Sequence, residues 1–449
     1  MKLTIIGAGG LRTPLLIQQL AESGVCTEAD DVVLYDINAH RLEIVGFACR
    51  AAMKRAGGRF RLQLAATAEE AVRGSDFMIL TIRAGFEEGR VKDERIALEL
   101  GVLGQENTGP GGFSMALRNI PAVLEYAHLA ERLAPNAWII NFTNPAGIVT
   151  RALLSQTPMR TIGICDTPSS LARQIAKNFG VASGEVQMEY FGLNHLGWVR
   201  QVLVRGQDRS AEARRDLSKI MGREMFNPDV IEALGLIPNE YLYFYYHRDR
   251  ALGNILESQR TRGEEILVRT EEILKALQGR MEAGDEAGAL DLYQKYIEQR
   301  DASYMSIETG KTVTKGMHMA DGGYGGVAIA IIEAVFRGKG RVIIADHYNH
   351  GAIEGLADDD VIEGNFVINS NGVFPLKCGH LPYECKGLLN AGAAYERAVA
   401  EAAVTGSRTV ALKALLLHPI GLSYGVANEL VNRYLDAHQS DLPQFASAR

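Results

Sequence analysis

The 449-residue chain contains no apolar run long enough to span a bilayer, no excess of positive charge and no C-x-x-C cysteine pair. Each absence removes a class of function. With 54 acidic against 47 basic side chains and a net charge of -7, there is no basic face for DNA or RNA, and no nucleic-acid partner is expected. A membrane partner is not expected either. Five cysteines, Cys26, Cys49, Cys165, Cys378 and Cys385, are odd in number and scattered, which suits a reducing cytosol better than a disulfide framework. The N-terminus enters a strand at once, Lys2-Leu-Thr-Ile-Ile-Gly7, without the longer apolar core and cleavage site of a signal peptide. A cytoplasmic location is the expectation. There is no internal repeat, low-complexity segment or obvious flexible linker, and at this length two domains or one large mixed domain are expected.

What is present begins with Leu3-Thr-Ile-Ile-Gly-Ala-Gly-Gly10, a strand entering a glycine turn, followed by the helical pattern from Pro14 to Leu20. Gly7, Gly9 and Gly10 let backbone N–H groups and a helix N-terminus approach a pyrophosphate. Arg12 occupies the place of the fingerprint's third glycine, which serves close helix–strand packing. The second strand, Asp31-Val-Val-Leu-Tyr-Asp36, ends in an acid placed to accept from a ribose 2′-hydroxyl, so Asp36 argues for NAD over its 2′-phosphorylated relative. A tight turn with no ligand is the plain alternative; strand, turn, helix, strand and acid together favour a dinucleotide site.

Further strands follow at Ser75–Ile82 and Trp138–Asn141. The first ends in Arg83 and Arg90, whose guanidinium forks suit phosphate or sulfonate, although each alone reads as a surface arginine. The second ends in Asn141-Phe-Thr-Asn-Pro145, with Asn141 and Asn144 as candidate partners for sugar hydroxyls or the nicotinamide ribose. Between them, Gly104-Gln-Glu-Asn-Thr-Gly-Pro-Gly-Gly112 is too rich in special backbone positions to be a plain helix link. Strand and helix thus alternate through a doubly wound parallel sheet, a Rossmann-like domain over residues 1–190.

Residues 191–449 read as a mixed α+β second domain. Residues 205–300 are charged and helical in period, interrupted by the tyrosine-rich Ile237–Tyr246, which reads as an aromatic core or subunit interface apart from Tyr241. Thr261 and Arg262 follow on the same helical region, adding another anion contact. Short strands at Arg341–Ile344 and Val361–Ile368, then a helical stretch from about Tyr395, complete the pattern.

Thr161-Ile-Gly-Ile-Cys-Asp-Thr-Pro168 is a short strand that sets Cys165 and Asp166 at its carboxyl end, where open α/β sheets place their ligands. Gly192-Leu-Asn-His-Leu-Gly-Trp198 supplies His195. A thiolate and an imidazole can share one divalent metal, and two protein ligands leave coordination positions free for substrate oxygens. Taken singly, each residue reads as a buried core side chain.

These segments in order, with Ile82-Arg83, Arg90 and Pro238-Asn-Glu-Tyr241, resemble the NAD- and metal-dependent glycosidases of glycoside hydrolase family four over nearly the whole chain. This family is an exception to two-carboxylate glycoside hydrolysis, and no such carboxylate pair is evident here. The resemblance implies that NAD+ takes a hydride from C3 of the sugar, that a tyrosine removes the acidified C2 proton, and that the aglycone leaves by elimination before water and hydride return. It implies Cys165 and His195 as ligands of Mn2+ or another divalent ion, Tyr241 as the base and Asp166 as the acid for the leaving oxygen. It further implies Arg90, Asn144 and Arg262 as substrate contacts, with a homodimer or homotetramer expected. Cys-Asp-Thr-Pro matches neither the Cys-Asp-Met-Pro usual for phospho-α-glucosidases nor the Cys-Asn-x-Pro of phospho-β-glucosidases. The related NAD-dependent sulfoquinovosidases are similar throughout this region, so 6-phosphate and 6-sulfonate, and both anomers, stay open.

Two other readings remain at this stage. A sugar or hydroxy-acid dehydrogenase would release an oxidised product and accumulate NADH; a non-catalytic NAD-binding sensor would turn nothing over. The combination of Cys165, His195 and Tyr241 favours the glycosidase.

Overall fold

The computed structural model describes residues 1–222, 224–311 and 323–448. Six short, apolar strands, β1 (Lys2–Ile6), β2 (Asp31–Tyr35), β3 (Arg61–Leu64), β4 (Phe77–Leu80), β5 (Trp138–Asn141) and β6 (Arg160–Gly163), run parallel in the order 3-2-1-4-5-6. That is the dinucleotide-fold order, and β1 and β4 flank its switch point. β4 and β5 are buried along their whole length, as central strands covered by helices on both faces must be.

The later strands join the free edge of β6 in the same sheet. They are β7 (Val186–Leu193), β8 (Leu196–Val204), β9 (Gln207–Asp208), β10 (Ile237–Pro238), β11 (Arg341–Tyr348), β13 (Val361–Asn369) and β14 (Gly372–Pro375). β12 (Ile353–Glu354) and β15 (Gly379–His380) form a separate pair. β11 lies antiparallel to β6 with Asp346 opposite Gly163, and β13, β7, β8 and β10 follow, each antiparallel to its neighbour. Pairing with β11 satisfies backbone groups that an open β6 edge would expose. The fold is thus α/β: a Rossmann-like doubly wound sheet followed by a mixed α+β second part.

Two local expectations are corrected. Arg262 does not continue the preceding helix: Arg248–Glu257 ends, and Arg262–Glu282 starts anew. The cause is a capping box in which Thr261 Oγ1 accepts the Glu264 N–H and the Glu264 carboxylate accepts the Thr261 N–H. The C-terminal helical stretch begins at Tyr383 rather than near Tyr395, because exposed Tyr383 and the glycines Gly387 and Gly392 blur the apolar face of Tyr383–Thr405. This helix packs on Pro110–Leu133, closing a second core beneath the sheet.

Candidate active site

The carboxyl ends of β1, β4, β5 and β6 open into a cavity of about 410 Å³, within the range of small-molecule sites. Its wall brings together the catalytic, cofactor, metal and substrate residues singled out in the sequence except Asn141 and Thr261. At β1, the N–H groups of Gly7 and Ala8 both donate to Tyr35 O at 3.0 Å, with Gly7 at φ 84°. Asp36 is locked beside this turn: one carboxylate oxygen accepts the Gly9 N–H at 2.9 Å and the other the Asn38 N–H at 2.9 Å. Arg41 donates to Gly9 O at 2.9 Å and pairs with Glu87 at 3.0 Å, holding the far side of the turn. Arg12 lines the cavity, with its guanidinium 3.7 Å from the Asp166 carboxylate.

Cys165 follows β6, and His195 sits in the two-residue link between β7 and β8. Their Sγ and Nε2 atoms lie 3.3 Å apart. Burial lowers the His195 imidazole to about 4, so it is neutral and able to offer a lone pair at physiological pH. Burial, with Glu363 and Asp166 nearby, pushes the Cys165 thiol well above its ordinary value. Among the described residues, no set of three or more His, Cys, Asp or Glu side chains is arranged for a metal ion. A sulfur and a neutral nitrogen facing a cavity fit an ion whose remaining ligands come from elsewhere.

Tyr241 stacks on His195, with ring centroids 3.9 Å apart. Burial raises its phenol above the ordinary value, while a hydrogen bond from Tyr304 opposes the rise. The Tyr304 hydroxyl lies 3.1 Å from a Glu240 carboxylate oxygen, and the Asn107 amide nitrogen is 3.5 Å from the Tyr241 hydroxyl.

The arginines are arranged differently from expectation. Arg83 and Arg90 each lie 2.8 Å from the Glu106 carboxylate, Arg90 also bonds Glu94 at 2.7 Å, and Arg262 pairs with Glu265 at 3.0 Å. Burial would raise the Glu106 carboxyl, but Arg90 and Arg83 hold it at about 2. The protein thus supplies carboxylate partners of its own for all three guanidinium groups. The expectation for Asn141 is corrected. Its amide nitrogen faces Thr143 O, Ala146 O and Thr150 Oγ1, and its oxygen accepts the Thr143 N–H. It shapes the loop carrying Asn144, whose residue does line the cavity.

Sequence reasoning missed Glu106, Glu240, Arg300 and Tyr304, all on the cavity wall. Glu106 lay within a loop already marked as unusual, and Glu240 beside Tyr241. Arg300 and Tyr304 carried no signal, since a charged helical pattern reads as a solvated face.

Comparison with known proteins agrees with this geometry from end to end. The Family 4 glycosyl hydrolase description matches residues 2–181, and its C-terminal domain matches residues 190–421. A 6-phospho-beta-glucosidase of Thermotoga maritima is 31% identical, over 98% of this chain and 99% of its own. Its structure with manganese, NAD+ and glucose-6-phosphate superposes with a TM-score of 0.82 at 30% identity, covering 98% of this chain and 99% of that one. A phospho-alpha-glucosidase of Clostridium acetobutylicum is 28% identical, over 97% of each chain. Both sheet halves, the glycine turn and the Cys165–His195–Tyr241 cluster thus sit inside one shared architecture, and the chain belongs to glycoside hydrolase family 4 and is a glycosidase.

Proposed function

We propose that the protein is an NAD+- and Mn2+-dependent hydrolase of glucosides carrying an anionic 6-substituent, an α-sulfoquinovoside or a 6-phospho-glucoside. The observation that carries this reading is the His195–Tyr241 stack beside Cys165 in a cavity that also holds the glycine turn. The turn at Gly7, Gly9 and Gly10 with Asp36 would hold the dinucleotide, with Arg83 beside it, and Cys165 with His195 would hold the metal. When bound, NAD+ supplies a reversible hydride acceptor for C3, and the divalent ion polarises the oxygens at C2 and C3.

The remaining work falls to the chain's own side chains. Tyr241 would take the C2 proton as a phenolate, its own proton first lost to solvent; burial opposes that form, and the hydrogen bond from Tyr304 together with the charge of a bound cation would favour it. Asp166 gives a proton to the departing oxygen, with Arg12 near enough to hold the carboxylate afterwards. Asn144, Arg90 and Arg262 orient the sugar and its 6-substituent. Arg90, shared between Glu94 and Glu106, is held in place before substrate arrives, which reduces the ordering cost of binding. Division of labour between residues 1–190 and 191–449 follows, the first holding the dinucleotide and the second supplying His195, Tyr241 and Arg262. A homodimer or homotetramer working in the cytoplasm completes the proposal; no helix among the described residues is long and apolar enough to cross a membrane.

The deciding experiment is a panel of nitrophenyl glucosides bearing 6-OH, 6-phosphate or 6-sulfonate in both anomers, assayed with NAD+ and Mn2+. Turnover of an anionic member without net NADH is the expected result. Accumulation of NADH, or equal turnover of neutral and anionic glucosides, refutes the assignment.

A further inference from the structure

Behind His195 lies a buried carboxylate with no place in the chemistry above. Glu363, on β13 and 1% exposed, accepts the Tyr190 hydroxyl at 2.6 Å and the Asn194 amide at 3.0 Å. It also accepts the backbone N–H of His195. His195 adopts φ 62°, a left-handed conformation that a non-glycine residue holds only when its surroundings impose it. Two of the three bonds to Glu363 come from the very link that makes this turn.

The third bond leads elsewhere. The Tyr190 hydroxyl also receives the Asn239 amide at 2.9 Å, and Asn239 Oδ1 accepts the Tyr241 N–H at 2.9 Å. Asn239 is tied to the β7–β8 hairpin by its own N–H, which donates to Gly197 O at 2.9 Å. A Cβ at Gly197 would fall 2.4 Å from the Tyr190 hydroxyl oxygen, so glycine there leaves room for this junction. Glu363, Tyr190 and Asn239 are each 1% exposed, and water does not compete for their bonds.

We propose that Glu363 is the positioning residue that sets His195 and Tyr241 in one register, holding the first directly and the second through Tyr190 and Asn239. The inference rests on the reading of His195 as a metal ligand. Partners behind a ligating histidine fix its ring orientation, and their loss weakens metal binding even when the ligand itself remains.

The test measures Mn2+ binding to the full-length protein by electron paramagnetic resonance of the free ion, with NAD+ affinity measured in parallel. Glu363→Gln keeps the shape but puts an amide where one accepting oxygen stood. Its Mn2+ Kd is expected to rise about 10- to 100-fold while NAD+ affinity is retained. Asn194→Ala, which leaves Glu363 in place, is expected to weaken Mn2+ in the same direction. Tyr190→Phe removes the arm toward Tyr241 and one of the three bonds to Glu363 but leaves the bonds from Asn194 and the His195 N–H, so Mn2+ affinity is expected to fall less than in Glu363→Gln while exchange of the substrate C2 hydrogen with solvent deuterium slows. Unchanged Mn2+ affinity in both Glu363→Gln and Asn194→Ala overturns the proposal, as does a parallel loss of NAD+ affinity, which would mark general loosening. His195→Ala separates the two levels. If it binds Mn2+ as well as the parent does, the metal site itself is misassigned and the proposal falls with it; if it loses Mn2+ while Glu363→Gln keeps it, only the positioning role is wrong.

Discussion

The ring of Tyr241 lies over the ring of His195 with centroids 3.9 Å apart and planes inclined by 25°. A proposed base and a proposed metal ligand therefore share one contact, although 46 residues separate them in the chain. Neither ring can shift sideways without losing that packing.

Replacing Tyr241 by Phe preserves the stack and removes only the hydroxyl. Mn2+ affinity is expected to hold, while kcat falls on the order of 10²–10⁴, the usual worth of a positioned acid or base. Product formed by the parent in D2O should carry deuterium at C2. Incorporation undiminished in the variant would move the base elsewhere.

Metal binding is expected to tighten with pH. Burial keeps the Cys165 thiol protonated, so an entering ion must displace one proton. His195, lowered to about 4, is already neutral above pH 6 and adds no slope. Between pH 6 and 8, Mn2+ affinity should rise about tenfold per pH unit, and Cys165→Ala should bind weakly with a flat profile. Titration calorimetry at three pH values decides it.

Asp166→Asn should remove the proton donor for the leaving oxygen with little change of shape. The loss should be on the order of 10²–10⁴ in rate for alkyl aglycones and smaller for nitrophenyl, whose leaving oxygen needs less help. An equal loss for both would reassign Asp166 to ordering the adjacent Cys165.

Arg90 is buried and pairs with the partly buried Glu106, so removing one partner leaves a charge without full compensation. Arg90→Ala should cost about 3–5 kcal/mol in stability, and Glu106→Gln in the same chain should recover part of it. Urea unfolding of the two single variants and the double variant gives the coupling. The same Arg90→Ala should weaken an anionic glucoside by roughly one to two orders of magnitude and a neutral one hardly at all.

Asp346 stands directly opposite Glu363 across β11 and β13, fully buried and with no hydrogen-bond partner among the described residues for either carboxylate oxygen. Burial and the Glu363 charge push its carboxyl well above the ordinary value. A carboxyl whose folded value exceeds its unfolded one contributes most below the unfolded value and loses that contribution as pH rises through the folded one. Relative to the parent, Asp346→Asn should therefore gain stability on going from pH 5 to pH 8, by about 1–3 kcal/mol. A difference in unfolding free energy that does not change between these pH values contradicts this.

The local elements were legible because their causes are local. A glycine turn after an apolar strand, an acid at the end of the next strand, and Cys165-Asp166 after β6 all declare themselves within a few residues. The segment that carries His195 declares its motif residues but not the paired strands β7 and β8 on either side of it. From these the sequence by itself determined the dinucleotide-type half, the family and part of the cavity wall. It did not determine which charges meet. Arg83 and Arg90 find Glu106, and Asn141 turns inward to Thr150, because buried polar groups must be satisfied by whatever the packed chain brings near. Tertiary structure alone decided that β11 and β13 would continue the sheet beside β6, bringing Glu363 behind His195 across 168 residues of sequence. Strand order and long-range carboxylate contacts arise from backbone pairing and burial, and neither leaves a periodicity for a linear reading to find.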